Sequence, residues 1–342
     1  MARSPRGQPA TIADVAKQAG VSIATISRVL NHPDSVAPPT AERVRSAIAE
    51  LHYAPRAAAR NLPSRRTNAI GLILPEIGWD HFFPPLLRGI SAATVEHNLG
   101  LLIYSSRGAG PTERPAAQAF GNHNTDGMLV FPDGMPGAEI LRLHSSGFPI
   151  VLLHFTLPAS PPIPYVAFEN KAGSRRMVDH LIDAHGYRRI GFLAGPEGSN
   201  DSHWRERGYL DSLAAHAIPV RPELLAVGGF DPRVAQKAVE QWILDSVGLD
   251  AIFAADDESA IGAIQALTRA GRRVPEDVAV VGFDDVPAAQ YITPPLTTVR
   301  APIEESGYEA AQALIRLTHH GLIPREVLFP TDLVIRRSCG CP

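Results

Sequence analysis

Two pairs of adjacent aspartates, Asp256-Asp257 and Asp284-Asp285, each follow a short apolar run. Such runs are typical of buried parallel strands, whose carboxyl ends border the cleft of an open α/β sheet. Paired carboxylates suit metal-dependent hydrolysis or hydrogen bonding to ligand hydroxyl groups. No nearby His/Asp set completes a metal shell, and the chain contains no P-loop, Gly-x-Ser-x-Gly or His-Glu-x-x-His motif. We therefore expect a binding protein that is not an enzyme and uses no cofactor or metal ion.

Aromatic, histidine and arginine side chains stand at the ends of other apolar runs. Aromatic rings stack on sugar rings, while carboxylates and arginine form paired hydrogen bonds, so this combination predicts a pocket for a small polyhydroxylated ligand. The candidates besides the aspartate pairs are Glu76, Trp79, His81, Phe82, Phe83, His154, Phe155, Phe230 and the predicted loop from Asn200 to Arg205.

Each candidate also has a structural interpretation. An aspartate after a strand often caps the next helix, and Asp257 and Asp285 both precede new segments. His154 either donates to a ligand oxygen, titrates near neutral pH, or is a core histidine with satisfied hydrogen bonds. The Phe230 ring either contacts the ligand or only packs against its neighbours.

The elements that must position these residues follow a simple alternation. Past Asn68, near-continuous Val/Ile/Leu runs alternate with segments of helical period, which predicts parallel βαβ units in two sheets, at about 69–166 and 168–297. The tail adds one helix and one strand, VLFPTDLVIRR. The other predicted strands are AIGLILP, GLLIYSS, DGMLVFP, PIVLLHF, IGFLAGP, ELLAVGG, AIFAAD and DVAVVGF.

Charge divides the chain into two parts. Residues 1–66 carry ten Lys/Arg and four acids, whereas the remainder carries 22 Lys/Arg and 31 acids. A basic module on an acidic body predicts a polyanionic partner for the module alone, the alternative being a basic tail without consequence. The chain lacks a signal peptide, a run of about 18 apolar residues and a disulfide framework, so we expect a cytoplasmic protein without membrane contact.

Residues 11–56 predict three short helices. Apolar residues recur at helical spacing after the N-cap Thr11, Gly20-Val21 interrupts the pattern, and Ser22 caps a second helix. A third helix is predicted from Pro39 to Leu51. Two helices joined by a tight turn and braced by a third form a helix-turn-helix, whose second helix enters the DNA major groove. A protein-docking module is the alternative.

Ile23 and Ala24 fall on the outward side of the second helix, where an apolar side chain has no core contact but can press on a thymine methyl. Arg28 lies on the same side and can donate two hydrogen bonds to guanine. The predicted inward face is Ile26, Val29 and Leu30; Ser22, Thr25 and Ser27 are predicted to contact phosphates or bases, and Asn31 to close the helix in a left-handed conformation.

The segment YAPRAAARNLPSRRTN follows the third helix. It contains good helix formers but is too short to be helical alone, and a plain linker would contain more Gly and Ser and no leucine. We expect it to fold on DNA with Leu62 wedged between base steps in the minor groove. A simple linker is the alternative.

Several stretches resemble the LacI–GalR family of bacterial transcription repressors, in the family's order, from about Thr11 to Ser338. The resemblance implies an N-terminal all-α helix-turn-helix headpiece and an α/β, periplasmic-binding-protein-like core of two parallel-sheet lobes with a ligand cleft at the hinge. The stretches are TIADVAKQAGVSIATISRVLN, AERVRSAIAELHYAP, AARNL, IGLILPE, DGMLVF, RRIGFLAGP, VPEDVAVVGFDD, PPLTTVR and RRS.

The resemblance also implies roles for single residues. The positions of Ile23 and Ala24 select the operator sequence, and the leucine at the Leu62 position kinks the operator. The DNA-contacting set is Thr11, Ser22, Ile23, Ala24, Thr25, Ser27, Arg28, Asn31, Ala59, Arg60 and Leu62.

The effector positions show two departures from the family. His154 stands where family sugar sensors often have aspartate, and Asp256 stands where many have asparagine. A charged Asp256 would prefer a ligand with several hydroxyl groups or a cation, so no relative's effector is transferred to this chain. The effector set is Phe82, His154, Asp201, Arg205, Phe230, Asp256 and Asp284.

The resulting expectation is a homodimeric repressor near the nucleoid that binds a pseudo-palindromic operator and responds to a sugar-like effector. Corepressor control, a sugar-uptake binding protein and an architectural DNA protein are the alternatives.

The expected boundaries are a basic tail at 1–10, headpiece 11–56, hinge 57–67, N-terminal lobe 68–167 with 299–329, C-terminal lobe 168–298 with 330–338, and a tail at 339–342. The crossings fall near Phe168, Thr298 and Pro330, and the tail with Cys339 and Cys341 is expected to be loose, a redox or metal role being the alternative.

Overall fold

A computed structural model of the chain describes residues 10–31, 33–51, 53, 66–75, 81–105, 121, 124–132, 134–321 and 323–342. Two compact units emerge, residues 1–67 with 122–125 and residues 68–121 with 126–342. Within the described ranges, no helix is both long and apolar enough to cross a bilayer.

The first unit contains helices α1 (Ile12–Ala19), α2 (Ile23–Asn31) and α3 (Pro38–Glu50). Thr11 caps α1 through a capping box, in which its backbone N–H donates to Asp14 Oδ2 at 2.8 Å and Asp14 N–H donates to its hydroxyl at 3.3 Å. Gly20, with φ of 63°, ends α1 in a left-handed conformation that glycine adopts without strain. The predicted capping of both helices is confirmed, since Ser22 Oγ accepts from Thr25 N–H at 3.2 Å.

Three fully buried side chains, Val15, Ile26 and Val44, form the centre of this unit, one from each helix. Each inward face follows the helical period, so the apolar stripes meet and small residues fill the space between them. One expectation was wrong: Asn31 is the last helical residue of α2 rather than a left-handed residue beyond its end. The other buried apolar residues here are Ala16, Ala19, Val29, Ala41, Ala47 and Tyr53.

The second unit contains two six-stranded sheets in its described part. In the first lobe, the sheet order is β11-β5-β4-β3-β1-β2 and every pair is parallel. Strands such as β1 are buried along their whole length because helices cover both faces. The elements are β1 (Ala69–Leu74), α4 (Phe83–Glu96), β2 (Gly100–Ser105), β3 (Gly127–Val130), α5 (Gly137–Ser145), β4 (Ile150–Leu153), β5 (Tyr165–Phe168), α10 (Ile303–His320) and β11 (Glu326–Phe329).

The second lobe repeats this arrangement with the order β12-β10-β9-β8-β6-β7. All its pairs are parallel except β10 with β12. The carboxyl ends of β6, β8 and β9 therefore lie at one edge, which is where a ligand site forms in open sheets. The elements are α6 (Asn170–His185), β6 (Ile190–Ala194), α7 (Asn200–Ala215), β7 (Leu225–Val227), α8 (Pro232–Leu244), β8 (Ala251–Ala254), α9 (Asp257–Arg269), β9 (Ala279–Asp284), β10 (Thr297–Arg300) and β12 (Asp332–Val334).

The strand predictions were incomplete in three places. The short strands β5 and β10 were missed, because β5 follows a proline-rich stretch and β10 reads Thr-Thr-Val-Arg. The predicted tail strand is two strands in different sheets, since Pro330 has no N–H for a ladder and separates β11 from β12. The chain remains in the second sheet through Arg300, two residues beyond Thr298.

The C-terminal segment is packed rather than loose, contrary to expectation. Cys339 is fully buried and belongs to the largest apolar cluster. Just before it, Ser338 Oγ donates to Val280 O at 2.6 Å and accepts from Thr297 N–H at 2.8 Å. These bonds join the chain end to β9 and β10.

Candidate functional site

A buried arginine organises the carboxyl edge of the second sheet. Arg205, on α7, is 2% exposed, and its Nε donates to Asn170 Oδ1 at 2.8 Å. Its two terminal nitrogens donate to Ala255 O at 2.6 Å and to Asp284 Oδ1 at 2.9 Å. The guanidinium therefore connects α6, β8 and β9, and its planar fork holds these elements in a fixed relation.

Aromatic rings enclose the same guanidinium. Its central carbon lies 3.8 Å from the ring centre of Phe283 and 5.9 Å from that of Phe230. Phe230 occupies space that only glycine leaves open, because a Cβ built on Gly195 would stand 2.4 Å from Phe230 Cζ. Cation–π contact and the missing Cβ together place the Phe230 ring beside Arg205.

Burial raises the pKa of two aspartates at this edge. The pKa of Asp284 rises to about 7 because desolvation outweighs the attraction of Arg205. The pKa of Asp256 rises to about 6, also through desolvation, although Ser259 N–H donates to its carboxylate at 3.1 Å and caps α9. Both carboxyl groups therefore change charge within the physiological range.

Asp257 has a structural role. Burial holds its pKa well above the ordinary value, and its carboxyl accepts from Thr298 Oγ1 at 2.5 Å and Val286 N–H at 2.9 Å. Its partners lie on β10 and after β9, so it connects neighbouring parts of the sheet. The helix-cap alternative applies to Asp256 rather than to Asp257, which is already the first helical residue.

His154 follows β4 in the first lobe and has an unusual environment. Its side chain is buried, and neither ring nitrogen has a hydrogen-bond partner among the described residues. Its ring centre lies 4.5 Å from that of Phe168, 5.6 Å from Phe131 and 5.7 Å from Phe82. Desolvation lowers the His154 pKa to about 4, which disfavours titration near neutral pH, and the unpartnered ring nitrogens disfavour a core histidine with satisfied hydrogen bonds. A neutral ring offers one donor and one acceptor.

Left-handed backbone conformations occur at three of the predicted effector residues. The φ angles are 63° at His154, 56° at Phe230 and 109° at Asp284, and Asp285 follows with 56°. Non-glycine residues adopt this region at a cost of order 1–3 kcal/mol, and such residues cluster at functional sites. Here the strained residues stand directly after β4 and close to the ends of β7 and β9, where their side chains reach the edge of the sheets.

A cleft of about 510 Å³ lies between the two lobes. Trp204, which is 47% exposed, lines this cleft together with aromatic residues of the first lobe. Arg205, Phe82, Phe230, Asp256 and Asp284 do not line this cleft. The cleft's main lining residues are His154, Phe155, Tyr165, Phe168, Asn170, Lys171, Asp201 and Trp204.

Asn170 joins the cleft to the arginine cluster. Its Nδ2 donates to Asp201 Oδ1 at 2.7 Å, and its Oδ1 accepts from Arg205. Asp201 and Arg205 lie on one face of α7, with Asp201 Oδ2 4.0 Å from the guanidinium. The structure therefore brings Asp201, Arg205, Asp284 and Phe230 together and joins them to the cleft lining.

A hydrogen-bonded contact between His81 and Glu258 joins the first lobe to the second. The backbone N–H of His81 donates to Glu258 Oε1 at 2.9 Å, and His81 Nδ1 lies 2.6 Å from the same oxygen. His81 precedes α4 in the first lobe, whereas Glu258 lies in the first turn of α9 in the second. This contact depends on the angle between the lobes.

Sequence reasoning missed several residues of this site. Asn170, Trp204, Phe131 and Glu258 were not chosen individually, because none belongs to a recognisable motif. The predicted loop from Asn200 to Arg205 is the start of α7, whose N-cap Ser199 accepts from Ser202 N–H at 3.2 Å. Serine before an acidic residue, and the four-residue spacing of Asp201 and Arg205, were signals for this helix. Glu76 and Trp79 lie outside the described residues.

The outward side of α2 forms a second candidate surface. Ile23 is 50% exposed, and Ala24 and Arg28 are also exposed, as predicted. Ser22 and Thr25 share a hydrogen bond of 2.9 Å between their hydroxyl groups, which fixes both at the start of the helix. Thr11 is exposed and Ser27 is half-buried. Ala59, Arg60, Leu62 and the Asn31 side chain lie outside the described residues.

Comparisons with known proteins identify the family of this chain. Residues 11–56 match the family described as bacterial regulatory proteins, lacI family, and residues 178–339 match a periplasmic binding protein-like domain. The HTH-type transcriptional regulator CelR of Thermobifida fusca is 34% identical over 336 residues, which cover 96% of this chain and 98% of the relative. The chain belongs to the LacI family.

Two solved structures are similar to this LacI-family regulator over nearly its whole length. A complex of transcriptional regulator CelR with cellobiose has a TM-score of 0.73 at 31% identity, covering 96% of this chain and 99% of that one. The Lac repressor dimer bound to operator and the anti-inducer ONPF has a TM-score of 0.81 at 26% identity, covering 97% and 99%. The regulator therefore has the helix-turn-helix and two-lobed core of its family.

The buried Asp256 makes the regulator's stability depend on pH. Its pKa rises from 3.8 to about 6 on folding, so its contribution to stability falls as pH increases between those values. We expect Asp256→Asn, which keeps the helix cap, to raise the free energy of unfolding by about 1–2 kcal/mol more at pH 8 than at pH 5. Chemical denaturation at both pH values measures this.

Asp231→Asn is the matched control, because Asp231 caps α8 through Arg233 N–H at 2.7 Å but is far more exposed. We expect its effect to be equal at the two pH values. An equal effect for Asp256→Asn would show that Asp256 stays charged in the folded protein.

Proposed function

We propose that this LacI-family regulator binds a pseudo-palindromic operator as a homodimer in the bacterial cytoplasm and releases it when a sugar-like ligand enters the cleft between its lobes. The observation that carries the effector half is the unpartnered His154 imidazole, which lines the same cleft as Asn170, the residue that accepts a hydrogen bond from the buried Arg205 of the Arg205–Asp284 pair. A buried polar group without a partner costs about 1–3 kcal/mol, so a ligand that hydrogen-bonds to it gains affinity.

The lining favours an uncharged ligand with several hydroxyl groups. Arg205 already has Asp284 and Asn170 as partners. The basic lining residues Lys171 and Arg175 are likewise paired, with Asp211 and Asp179. Neutral His154 offers a donor and an acceptor, and Trp204 presents a face for stacking. The similar CelR structure was solved with cellobiose, a neutral disaccharide of this chemical class.

The ligand would act by preferring one arrangement of the lobes. Because the cleft is built from both lobes, a bound ligand stabilises the lobe angle at which its contacts are complete. The His81–Glu258 contact also depends on that angle. A ligand that favours the arrangement with lower operator affinity induces transcription, whereas the opposite preference makes it a corepressor.

Selection of genomic fragments by the purified protein tests the DNA half at physiological salt. We expect enrichment of a pseudo-palindrome of about 14–20 base pairs, which two related helix-turn-helix units require. Genes beside the site then suggest the effector. A selection with no enriched sequence, with or without added metabolites, would contradict specific operator recognition.

Tryptophan fluorescence tests the effector half. The chain has three tryptophans, of which Trp204 lines the cleft and Trp242 is buried in the second lobe. We expect the effector to change the emission of the unaltered protein and of Trp242→Phe, but to change it far less in Trp204→Phe. Equal signals from both variants would place the ligand elsewhere. Operator release, or tighter binding, by the same ligand gives the sign of control.

A further inference from the structure

Four side chains with metal-binding atoms meet where the C-terminal segment packs on α6. His180 and His185 come from the last turns of α6, and Cys339 and Cys341 come from the chain end. One ligand atom from each residue lies within 4.8 Å of all the others. Cys341 Sγ is 3.7 Å from His180 Nε2 and 3.5 Å from His185 Nε2.

The two sulfur–nitrogen separations at Cys341 match edges of a tetrahedral zinc site. With Zn–S near 2.3 Å and Zn–N near 2.0–2.1 Å, tetrahedral geometry requires sulfur–nitrogen distances of about 3.6 Å and a sulfur–sulfur distance of about 3.8 Å. The two sulfur–nitrogen distances at Cys341, 3.7 Å and 3.5 Å, lie on either side of the tetrahedral sulfur–nitrogen distance. Two thiols and two imidazoles are also the donor set that zinc prefers in structural sites.

We propose that His180, His185, Cys339 and Cys341 bind one zinc ion in a closed, structural site. Four protein ligands complete a tetrahedral shell, so the ion holds the chain end against α6 and has no open position for a substrate. The site is separate from the effector cleft, whose lining includes none of these four residues. It replaces the expectation of no metal ion, which rested on sequence spacing: His180 and Cys341 are 161 positions apart.

The surroundings support the ligands in these positions. Tyr187 stacks on the His185 ring with centres 5.2 Å apart, and its hydroxyl donates to Cys339 O at 3.2 Å. Between the cysteines, Gly340 has φ of 103°, and a Cβ there would stand 3.1 Å from Tyr187 Oη and 3.4 Å from His185 Nδ1. Such contacts orient metal ligands and are a feature of built sites.

The ordinary alternative is that the four groups only pack and hydrogen-bond. Cys339 Sγ accepts from Thr297 Oγ1 at 3.2 Å, so this sulfur has a polar partner without a metal ion. Packing alone predicts no stoichiometric metal binding and no change in melting temperature when metal is removed. Zinc binding predicts both, which makes the two interpretations separable.

The test uses the full-length protein, treated with a chelator under reducing conditions and then titrated with Co²⁺. We expect one equivalent to bind with the strong visible absorption of tetrahedral cobalt and a thiolate charge-transfer band, and Zn²⁺ to displace it. Saturating Zn²⁺ should raise Tm by about 5 °C or more, because only the folded chain assembles the site. Absence of a tetrahedral spectrum would overturn the proposal.

Variants distinguish this site from adventitious binding. Cys341→Ser and His185→Gln remove one ligand each at half-buried positions, and we expect both to lose the cobalt spectrum and the zinc-dependent rise in Tm. His216→Gln is the matched control, since His216 lies in the same lobe, is also half-buried, and bonds to Asp183. The proposal fails if either ligand variant retains the spectrum with unchanged affinity.

Discussion

Arg205→Met should abolish the response to effector and lower the free energy of unfolding by about 3–5 kcal/mol, because it leaves Asp284 as a buried acid without its partner. The substitution also removes the donors to Asn170 and Ala255 that connect three elements. Effector affinity should fall as well, because Asn170, which lines the cleft, loses its contact with Arg205. Denaturation and operator-release titrations measure the two effects.

Two further variants separate stability from ligand recognition. Arg207→Met changes an exposed arginine two positions along α7, and we expect it to leave stability and response unchanged. Asp284→Asn keeps an oxygen that can accept from Arg205 but removes the charge, so we expect DNA binding to persist while the effector response is lost. A normal response from Asp284→Asn would place the effector site away from this cluster.

Substitution of Ile23 should change operator affinity, whereas substitution of Ile26, three positions along the same helix, should change stability. Ile23→Ala is expected to reduce affinity for the selected operator by about 10–100-fold with little change in stability, because half of the Ile23 side chain is exposed on the side of α2 that we propose contacts DNA. Ile26→Ala should lower the free energy of unfolding of the first unit by about 2–5 kcal/mol, because Ile26 is fully buried. Fluorescence anisotropy and calorimetry measure the two quantities.

Scrambled DNA serves as the control for this pair. Ile23→Ala should bind scrambled DNA as the unaltered protein does, because non-specific affinity comes from phosphate contacts. Equal losses on operator and scrambled DNA would remove Ile23 from base recognition.

The headpiece was predictable because its determinants are local. Neighbours within four residues determine the N-caps of α1 and α2, the glycine between them and the inward face of α2. The sequence therefore shows these features directly, through the capping residues and the helical spacing of apolar residues. The wrong detail, Asn31, concerns a helix end, where a residue more or less of helix costs little.

The two-lobed core shows which strands the pattern of apolar residues can predict and which it cannot. Apolar runs such as β1 and β9 were identified, whereas β5 and β10 were not, because β5 follows a proline-rich stretch and β10 reads Thr-Thr-Val-Arg. The division of the tail strand near Pro330 was expected only from the family resemblance, since both halves of VLFPTDLVIRR are equally extended and the local pattern does not distinguish them. Which strands pair in a sheet depends on residues that are far apart in the sequence.

The sequence by itself determined the fold class and the family and nominated residues for both sites, because helical period, strand runs and strand-end positions are encoded over short distances. Only the tertiary structure decided which of those residues act together. Asn170 joins Arg205 to the cleft, burial keeps His154 neutral and raises the pKa of Asp256 and Asp284, and the chain end reaches α6. Each depends on contacts between residues tens to hundreds of positions apart, and desolvation exists only once those residues are packed.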